Sequence, residues 1–263
     1  MSLLTELLDD LDAESSALEA HVTTLDESGW WTPTPASGWA VIHAIAHLAW
    51  TDETAVIAMT DPGRLARLRA QQAEEPLSFA DESAFLVAGT GPERVLRRWR
   101  RSRRAVAAAL RRRASTEKVP WFGPSMSPVS MATARLMETW AHGVDVTDAL
   151  GRPTTVSDRL RHIAHLGVRT RSYSFAQRGL PPPDDVYVEL RGPSGQTWRY
   201  GAPAADSVVG PALDFALLVT RRRHPSDLSL KATGDTARTW VEIAQAYAGD
   251  PGEGRRPAAE SGR

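Results

Sequence analysis

The residues best suited to chemistry are Glu138 and His142, which stand four positions apart in the segment RLMETWAHGVDVTDAL (135–150). The segment reads as a helix, and this spacing stacks a carboxylate and an imidazole one turn apart on the same face. Asp145 continues that face three residues further on. A carboxylate and an imidazole held in this way can bind a divalent metal when a third ligand comes from elsewhere in the chain.

The segment IHAIAHLAW (42–50) offers the third ligand, because it reads as an apolar helix that carries His43 and His47. Both histidines could bind from one helix, but His47 is favoured since it lies deeper in the apolar run. His43, near the helix start, is expected to be exposed or to support a ligand. Taken alone, a histidine on an apolar helix is more often a core residue than a metal ligand, and a Glu-x3-His pair is more often a surface ion pair. The combination favours a metal site, because unpaired polar groups are costly on apolar faces.

Other polar side chains are weaker candidates for this site. Asp52 and Glu53 lie more than one turn beyond His47, and either could be a fourth ligand or a general base. His162 and His165 form a competing pair, followed by arginine-rich sequence, and are interpreted as structural or substrate-facing.

The composition restricts the class of protein. The chain has 263 residues, 42% of them hydrophobic and 24% charged, with a net charge of −1 and no cysteine. Disulfides, thiolate metal sites and a cysteine nucleophile are therefore excluded. The acidic start, MSLLTELLDDLDAE, lacks the plan of a signal peptide, and no apolar run reaches membrane-spanning length. We expect a cytoplasmic protein with no membrane partner.

Long amphipathic helices must position these side chains. Apolar periodicity predicts helices at 3–26, 39–59, 61–73, 81–113 with a break at 89–92, 135–150 and 156–178. A loop rich in Pro, Gly and Trp separates the first two, and Trp30, Trp31 and Trp39 are expected to plug the end of the bundle.

Three consecutive prolines at 181–183 mark a change of pattern. Beyond them the sequence predicts a hairpin of strands 186–190 and 196–200, a helix at 211–223, a strand at 228–232 and a helix at 234–248. The predicted domains are therefore 1–178 and 184–248, followed by a disordered tail at 249–263.

Two segments carry a family resemblance. GWAVIHAIAHLAWTDE (38–53) and RLMETWAHGVDVTDALG (135–151) resemble the DinB-like metalloprotein superfamily, and more narrowly its actinobacterial branch of mycothiol-dependent maleylpyruvate isomerases. The similarity continues through 164–175, 210–224 and 240–252. It implies an α+β protein, in which a DinB-like four-helix bundle precedes a smaller C-terminal α/β domain that closes over the pocket. It also implies a divalent ion, usually zinc, on His47, Glu138 and His142, with mycothiol as a possible cosubstrate.

The expected activity is a metal-dependent isomerase or thiol transferase that acts on an electrophilic small molecule. Three protein ligands with one open position are typical of catalytic zinc, which can lower the pKa of a bound thiol. Asp145 could orient His142, while Trp50 and Trp140 could wall the pocket. Arg222 is a candidate for holding a substrate carboxylate. The pocket is expected to open toward the junction between the two domains.

Two alternatives stay open. The same site could serve a hydrolase, lyase or cyclase that uses no thiol. A second alternative is a non-enzyme that binds nucleic acid or an acidic partner through the arginine clusters at 94–104, 111–113 and 221–223. Acidic residues balance these charges elsewhere, and such runs are usually a solvated helix face, so nucleic-acid binding is disfavoured.

Overall fold

We describe the protein from a computed structural model that covers residues 2–74, 79–249 and 252–260. The chain divides into two compact units, Met1–Thr154 and Thr155–Arg263. Together they confirm the α+β class, since the first unit is helical and the second contains a four-stranded sheet. No helix in the described part of the chain combines the length and apolarity needed to cross a bilayer.

The first unit is built on a four-helix bundle. Its helices are α1 (Leu3–Val22), α2 (Glu27–Trp30), α3 (Val41–Thr60), α4 (Pro62–Glu74), α5 (Phe79–Ala88), α6 (Pro92–Arg111) and α7 (Pro128–Ala149). The long helices α1, α3, α6 and α7 form the bundle, in which α3 packs against α6 and α7, and α1 packs against the same two helices. The shorter α4 and α5 pack on α3.

The bundle core lies around α3. Its fully buried side chains include Ile42, Ile45 and Leu48 of α3 and Trp99 of α6. Each large apolar side chain removed from water contributes about 1.5–3 kcal/mol. This packing makes α3 a rigid support for the polar side chains it carries.

Helix α7 begins at Pro128, seven residues before the segment 135–150. Ser127 is its N-cap and accepts a hydrogen bond from the backbone N–H of Ser130 at 3.1 Å, and a proline occupies the first turn. Glu138 and His142 therefore lie in the middle of a helix of 22 residues, away from its frayed ends.

The second unit combines a small mixed sheet with helices. Its elements are α8 (Leu160–Arg169), α9 (Arg171–Gln177), β1 (Val186–Arg191), β2 (Thr197–Tyr200), β3 (Asp206–Pro211), α10 (Ala212–Val219), β4 (Lys231–Thr233) and α11 (Asp235–Ile243). The strand order is β2-β1-β3-β4, with β1 parallel to β3 and the other two pairs antiparallel. The predicted hairpin is therefore present as β1 and β2.

The boundary between the units differs from the prediction. The predicted helix 156–178 is two helices that meet at Thr170, and α8 packs against α10 of the second unit. A Cβ on Gly167 of α8 would lie 2.8 Å from a methyl carbon of Val219, so glycine is required for this close approach. The second unit therefore starts near residue 155, ahead of the prolines that suggested a boundary at 179–184.

Three further details of the second unit differ from the prediction. Strand β3 has no predicted counterpart, because its short segment DSVVGP shows no clear alternation. Helix α10 ends at Val219 and α11 at Ile243, several residues before the predicted ends. In the predicted disordered tail, the backbone N–H of Ala258 donates to the carboxylate of Asp227 at 3.0 Å, so its described part contacts the folded unit.

Candidate metal centre

Three side chains from two helices converge in the first unit. His47 comes from α3, and Glu138 and His142 come from α7. The Nε2 atoms of His47 and His142 lie 3.6 and 3.5 Å from Oε2 of Glu138, and one donor atom from each residue lies within 4.8 Å of the others. Tetrahedral zinc with bonds of about 2.0–2.2 Å would separate its ligand atoms by about 3.3–3.6 Å. The two nitrogen–oxygen spacings fit that geometry.

The register of the two helices is fixed by a buried ion pair close to these side chains. Nε of Arg135 donates to Oδ1 of Asp52 at 2.8 Å, and both side chains are buried. Asp52 follows His47 by five residues, whereas Arg135 precedes Glu138 by three. The two helices therefore run antiparallel, and the pair lies about one turn from the candidate ligands.

The electrostatics hold two of the candidate ligands, His47 and Glu138, in their metal-binding forms. Burial lowers the pKa of His47, against an opposing effect of Glu138, so its imidazole is neutral at neutral pH. Burial opposes ionisation of Glu138, but contacts with the imidazoles of His142 and His47 outweigh it and keep the pKa of that carboxyl well below its ordinary value. Neutral imidazoles and an ionised carboxylate are the forms that bind divalent metals.

Asp145 contacts the far side of one candidate ligand. Its buried carboxylate lies 3.4 Å from Nδ1 of His142, while Nε2 of the same ring faces Glu138. A carboxylate in this position fixes the ring and its tautomer, and makes the other nitrogen a better donor to a metal. The structure thus brings together Asp145 and the three residues that the sequence assigns to the metal.

Trp39 covers the two imidazoles, a position that the sequence did not predict. Its indole stacks on His142 at 5.6 Å with 6° between the ring planes and lies 5.4 Å from the His47 ring. Its Nε1 donates to Asp81 on α5 at 3.2 Å, and its backbone oxygen accepts from Thr34 at 2.7 Å. The sequence placed it at the end of the bundle. The sequence signal that could have indicated this position is the spacing of Trp39, eight residues before His47.

The two predicted pocket tryptophans differ in position. The Trp50 ring lies 6.2 Å from that of His47 and remains partly exposed, as a pocket wall requires. Trp140 is buried and stands two residues from Glu138 and from His142, about 200° around the helix from each. Its predicted role as a pocket wall stays a prediction.

The remaining histidine and carboxylate candidates of α3 have other partners. Nδ1 of His43 accepts the backbone N–H of Ala40 at 2.9 Å and so caps the start of α3. Asp52 pairs with Arg135, and Glu53 pairs with Arg98 at 2.7 Å. These contacts favour structural roles for all three and do not support a fourth ligand.

Arg222, His162 and His165 belong to the second unit. Arg222 follows α10 in a turn, where its Nη1 donates to the backbone oxygen of Thr220 at 2.7 Å. Its predicted role toward a substrate carboxylate stays a prediction. His162 and His165 both lie on α8, and burial lowers the pKa of His165.

The arginine clusters of α6 are largely matched by acidic side chains. The ion pairs of α6 and of the residues just after it are Arg97–Glu93, Arg98–Glu53, Arg100–Glu19, Arg101–Glu53, Arg103–Glu19, Arg111–Asp9 and Arg113–Glu117. Such pairing reduces the positive potential that binding to a phosphate backbone requires. It weakens the nucleic-acid alternative.

Comparison with known proteins agrees with the helical fold of the first unit. A family model described as the mycothiol maleylpyruvate isomerase N-terminal domain matches residues 11–147. Two uncharacterised proteins from Mycobacterium tuberculosis, strains CDC 1551 and H37Rv, are 50% identical to the chain over 248 residues, which cover 94% of this chain and 96% of each relative.

Solved structures show the same fold. The crystal structures of a mycothiol-dependent maleylpyruvate isomerase and of its histidine-to-alanine mutant both match with a TM-score of 0.60 at 18% identity. Each match covers 87% of this chain and 92% of the other. At this identity the likeness concerns the fold of the polypeptide.

Proposed function

The chain belongs to the mycothiol maleylpyruvate isomerase N-terminal domain family, and from that premise we propose that it is a divalent-metal enzyme that uses a thiol to isomerise or conjugate an electrophilic small molecule. The observation that carries the proposal is the group of His47, Glu138 and His142, whose donor atoms have the spacing of one metal site. Mycothiol is the proposed cosubstrate, because the family is described by it.

The donor set fits a metal on chemical grounds. Two imidazoles and one carboxylate are a common set for catalytic zinc, and they leave a position open for a substrate. Nδ1 of His47 is buried with no hydrogen-bond partner in the described part of the chain, so Nε2, which faces Glu138, is its available donor atom. A bound zinc ion would act as a Lewis acid and lower the pKa of a thiol at the open position.

The chain's own residues would hold and shield that chemistry. Asp145 orients His142, and the Trp39 indole covers both imidazoles and excludes water from one side. Glu138 keeps 23% of its side-chain surface exposed, which leaves the donor atoms accessible to a small molecule.

The proposed reaction is balanced without a further reagent. In a substrate whose alkene is conjugated to a carbonyl group, the thiolate sulfur forms a bond to one alkene carbon. The alkene electron pair then moves into the conjugated carbonyl. Rotation about the resulting single bond and expulsion of the thiolate restore the alkene in the other geometry. If a proton is taken up in place of that expulsion, the product is a thioether, which is S-transfer.

Elemental analysis of the purified protein and of two variants tests the metal. We expect one divalent ion per chain in the wild type, and loss of most of it in His142→Ala because two ligands cannot hold zinc tightly. His21→Ala, which removes a partly exposed histidine of α1, is the matched control and should retain the metal. Equal metal content in the wild type and His142→Ala would contradict the assignment.

Turnover with and without mycothiol tests the thiol. We expect conversion of maleylpyruvate or another electrophile only when mycothiol is added to the metal-loaded protein. Turnover of a native substrate at full rate without any thiol would favour the hydrolase, lyase or cyclase alternative, in which water occupies the open position.

A further inference from the structure

Four aromatic side chains form a continuous wall beside the candidate metal centre. The wall consists of Trp50, Phe79, Trp121 and Phe122, and each ring is partly exposed. Trp50 stacks with Phe122 at 6.2 Å and contacts the edge of Phe79 at 5.4 Å. Phe122 in turn lies 5.8 Å from Phe79 and 5.2 Å from Trp121. Trp50 joins this aromatic wall to the site, because its ring is 6.2 Å from that of His47.

The aromatic wall is assembled from three separate segments. Trp50 comes from α3, Phe79 begins α5, and Trp121 and Phe122 lie in the loop between α6 and α7. That loop is closed at its base by paired backbone hydrogen bonds between Val119 and Met126, of 2.7 and 2.9 Å. The closed loop therefore presents two adjacent aromatic rings in a defined position, and partly exposed apolar clusters of this kind commonly mark binding sites.

Two ion pairs lie near this part of α3. Arg98 pairs with Glu53 at 2.7 Å, and Nε of Arg135 pairs with Asp52 at 2.8 Å, while Nη2 of Arg135 is buried with no hydrogen-bond partner among the described residues. The faces and edges of the aromatic wall favour a flat apolar group, whereas a carboxylate requires charged or polar donors. A sugar-like body would require polar partners for its hydroxyl groups, which carbon rings do not supply.

We propose that the aromatic wall binds a planar apolar group, such as a phenyl ring, carried by the electrophilic substrate next to its reactive carbon. The inference rests on the proposed function, because it assigns the rest of the substrate to the same metal site. It distinguishes this chain's substrate from a small, purely anionic molecule.

Binding of two unreactive keto acids tests the inference without turnover. Benzoylpropionate and levulinate have the same carboxylate and ketone, but the first carries a phenyl group where the second carries a methyl group. We expect ligand-observed NMR titration of the metal-loaded protein to give a Kd about tenfold lower for benzoylpropionate, since only its phenyl ring can be buried on the aromatic wall. Equal dissociation constants would overturn the proposal.

Variants of the loop between α6 and α7 test whether the preference for benzoylpropionate over levulinate depends on the aromatic wall. Phe122→Ala and, independently, Trp121→Ala should reduce the preference to about threefold or less. Trp31→Ala removes a more exposed ring elsewhere in the first unit and should leave the preference unchanged. A tenfold preference that survives both loop variants, while thermal melts show folded protein, would contradict the role of the wall.

Two further arms separate this inference from the proposed function. After metal removal with a chelator, the preference for the phenyl compound should persist, because the aromatic side chains do not depend on the ion. Absence of thiol-dependent turnover in the metal-loaded protein, together with a retained preference, would count against the proposed function alone. Displacement of benzoylpropionate by mycothiol from the metal-free protein would show that the wall holds the thiol's body, and would overturn the inference.

Discussion

Asp145 can be tested separately from metal ligation, because it contacts His142 and not the position of the ion. Asp145→Asn keeps the size of the side chain and removes its charge. We expect the affinity for zinc to fall about 10- to 100-fold, since the loss of a carboxylate behind a ligating imidazole typically has that effect. Chelator competition measures the affinity.

The control for this variant is Asp148→Asn, which removes a partly exposed carboxylate one turn further along α7. Its zinc affinity should match that of the wild type. An unchanged affinity in Asp145→Asn would show that the 3.4 Å contact with His142 does not orient the ligand.

The sequence identified the candidate ligand residues that the structure brings together, because their information is local. Glu138 and His142 share one helix face by spacing alone, and the apolar run around His47 identified the deeper of two histidines. Trp39 was assigned to the bundle end, because its stacking on His142 depends on how the loop before α3 folds back.

At the scale of elements, the ion pair between Asp52 and Arg135 fixes α3 against α7. Arg135→Met or Asp52→Leu alone would leave one charge buried without its partner, and we expect each to lower the free energy of unfolding by about 3–5 kcal/mol. The double variant should recover much of that loss, because apolar side chains of similar size can replace a buried pair. Urea denaturation of all four proteins gives the coupling energy.

Glu53→Gln provides a contrast to that cycle. It disrupts the pair with Arg98, in which both side chains keep a quarter to a third of their surface exposed. A solvated pair contributes about 1 kcal/mol or less, so this variant should be nearly neutral.

Additive effects of Asp52→Leu and Arg135→Met would contradict a direct coupling between the two helices.

Elements were predicted well where apolar periodicity is long. The bundle helices and the β1–β2 hairpin follow from pattern and turn residues, whereas β3 was missed because its six residues depend on two flanking strands for their hydrogen bonds. The assignment of α8 to the second unit was also not predicted, because its packing on α10 is a contact between residues far apart in sequence.

At the scale of the whole molecule, metal and pH should act on stability together. Burial places the pKa of folded His47 below the unfolded value of 6.5, so the unfolded state takes up its proton first as the pH falls. The free energy of unfolding of the metal-free protein should therefore decline below about pH 6.5. At the proposed site zinc would raise Tm by binding only the folded state, and this increment should shrink over the same range because protons compete for the imidazole.

Thermal melts with zinc and with chelator, recorded between about pH 7.5 and 5.5, measure both effects. Glu138 contributes at lower pH, because its depressed pKa gives a stabilisation that is lost below its ordinary value of 4.5. A zinc-dependent increment in Tm that stays constant across the range would contradict ligation by His47.

The distance along the chain between the candidate ligands has a consequence for biosynthesis. About ninety residues separate His47 from Glu138, so the three donors meet only after α7 has left the ribosome and packed on α3. Closing such a loop in an unfolded chain costs about 4 kcal/mol of entropy, which discourages early metal capture by the nascent polypeptide. At about 5–20 residues per second, the ribosome needs several seconds to pass from the first ligand to the last. We therefore expect metal acquisition, if the proposed site is used, to follow folding of the bundle.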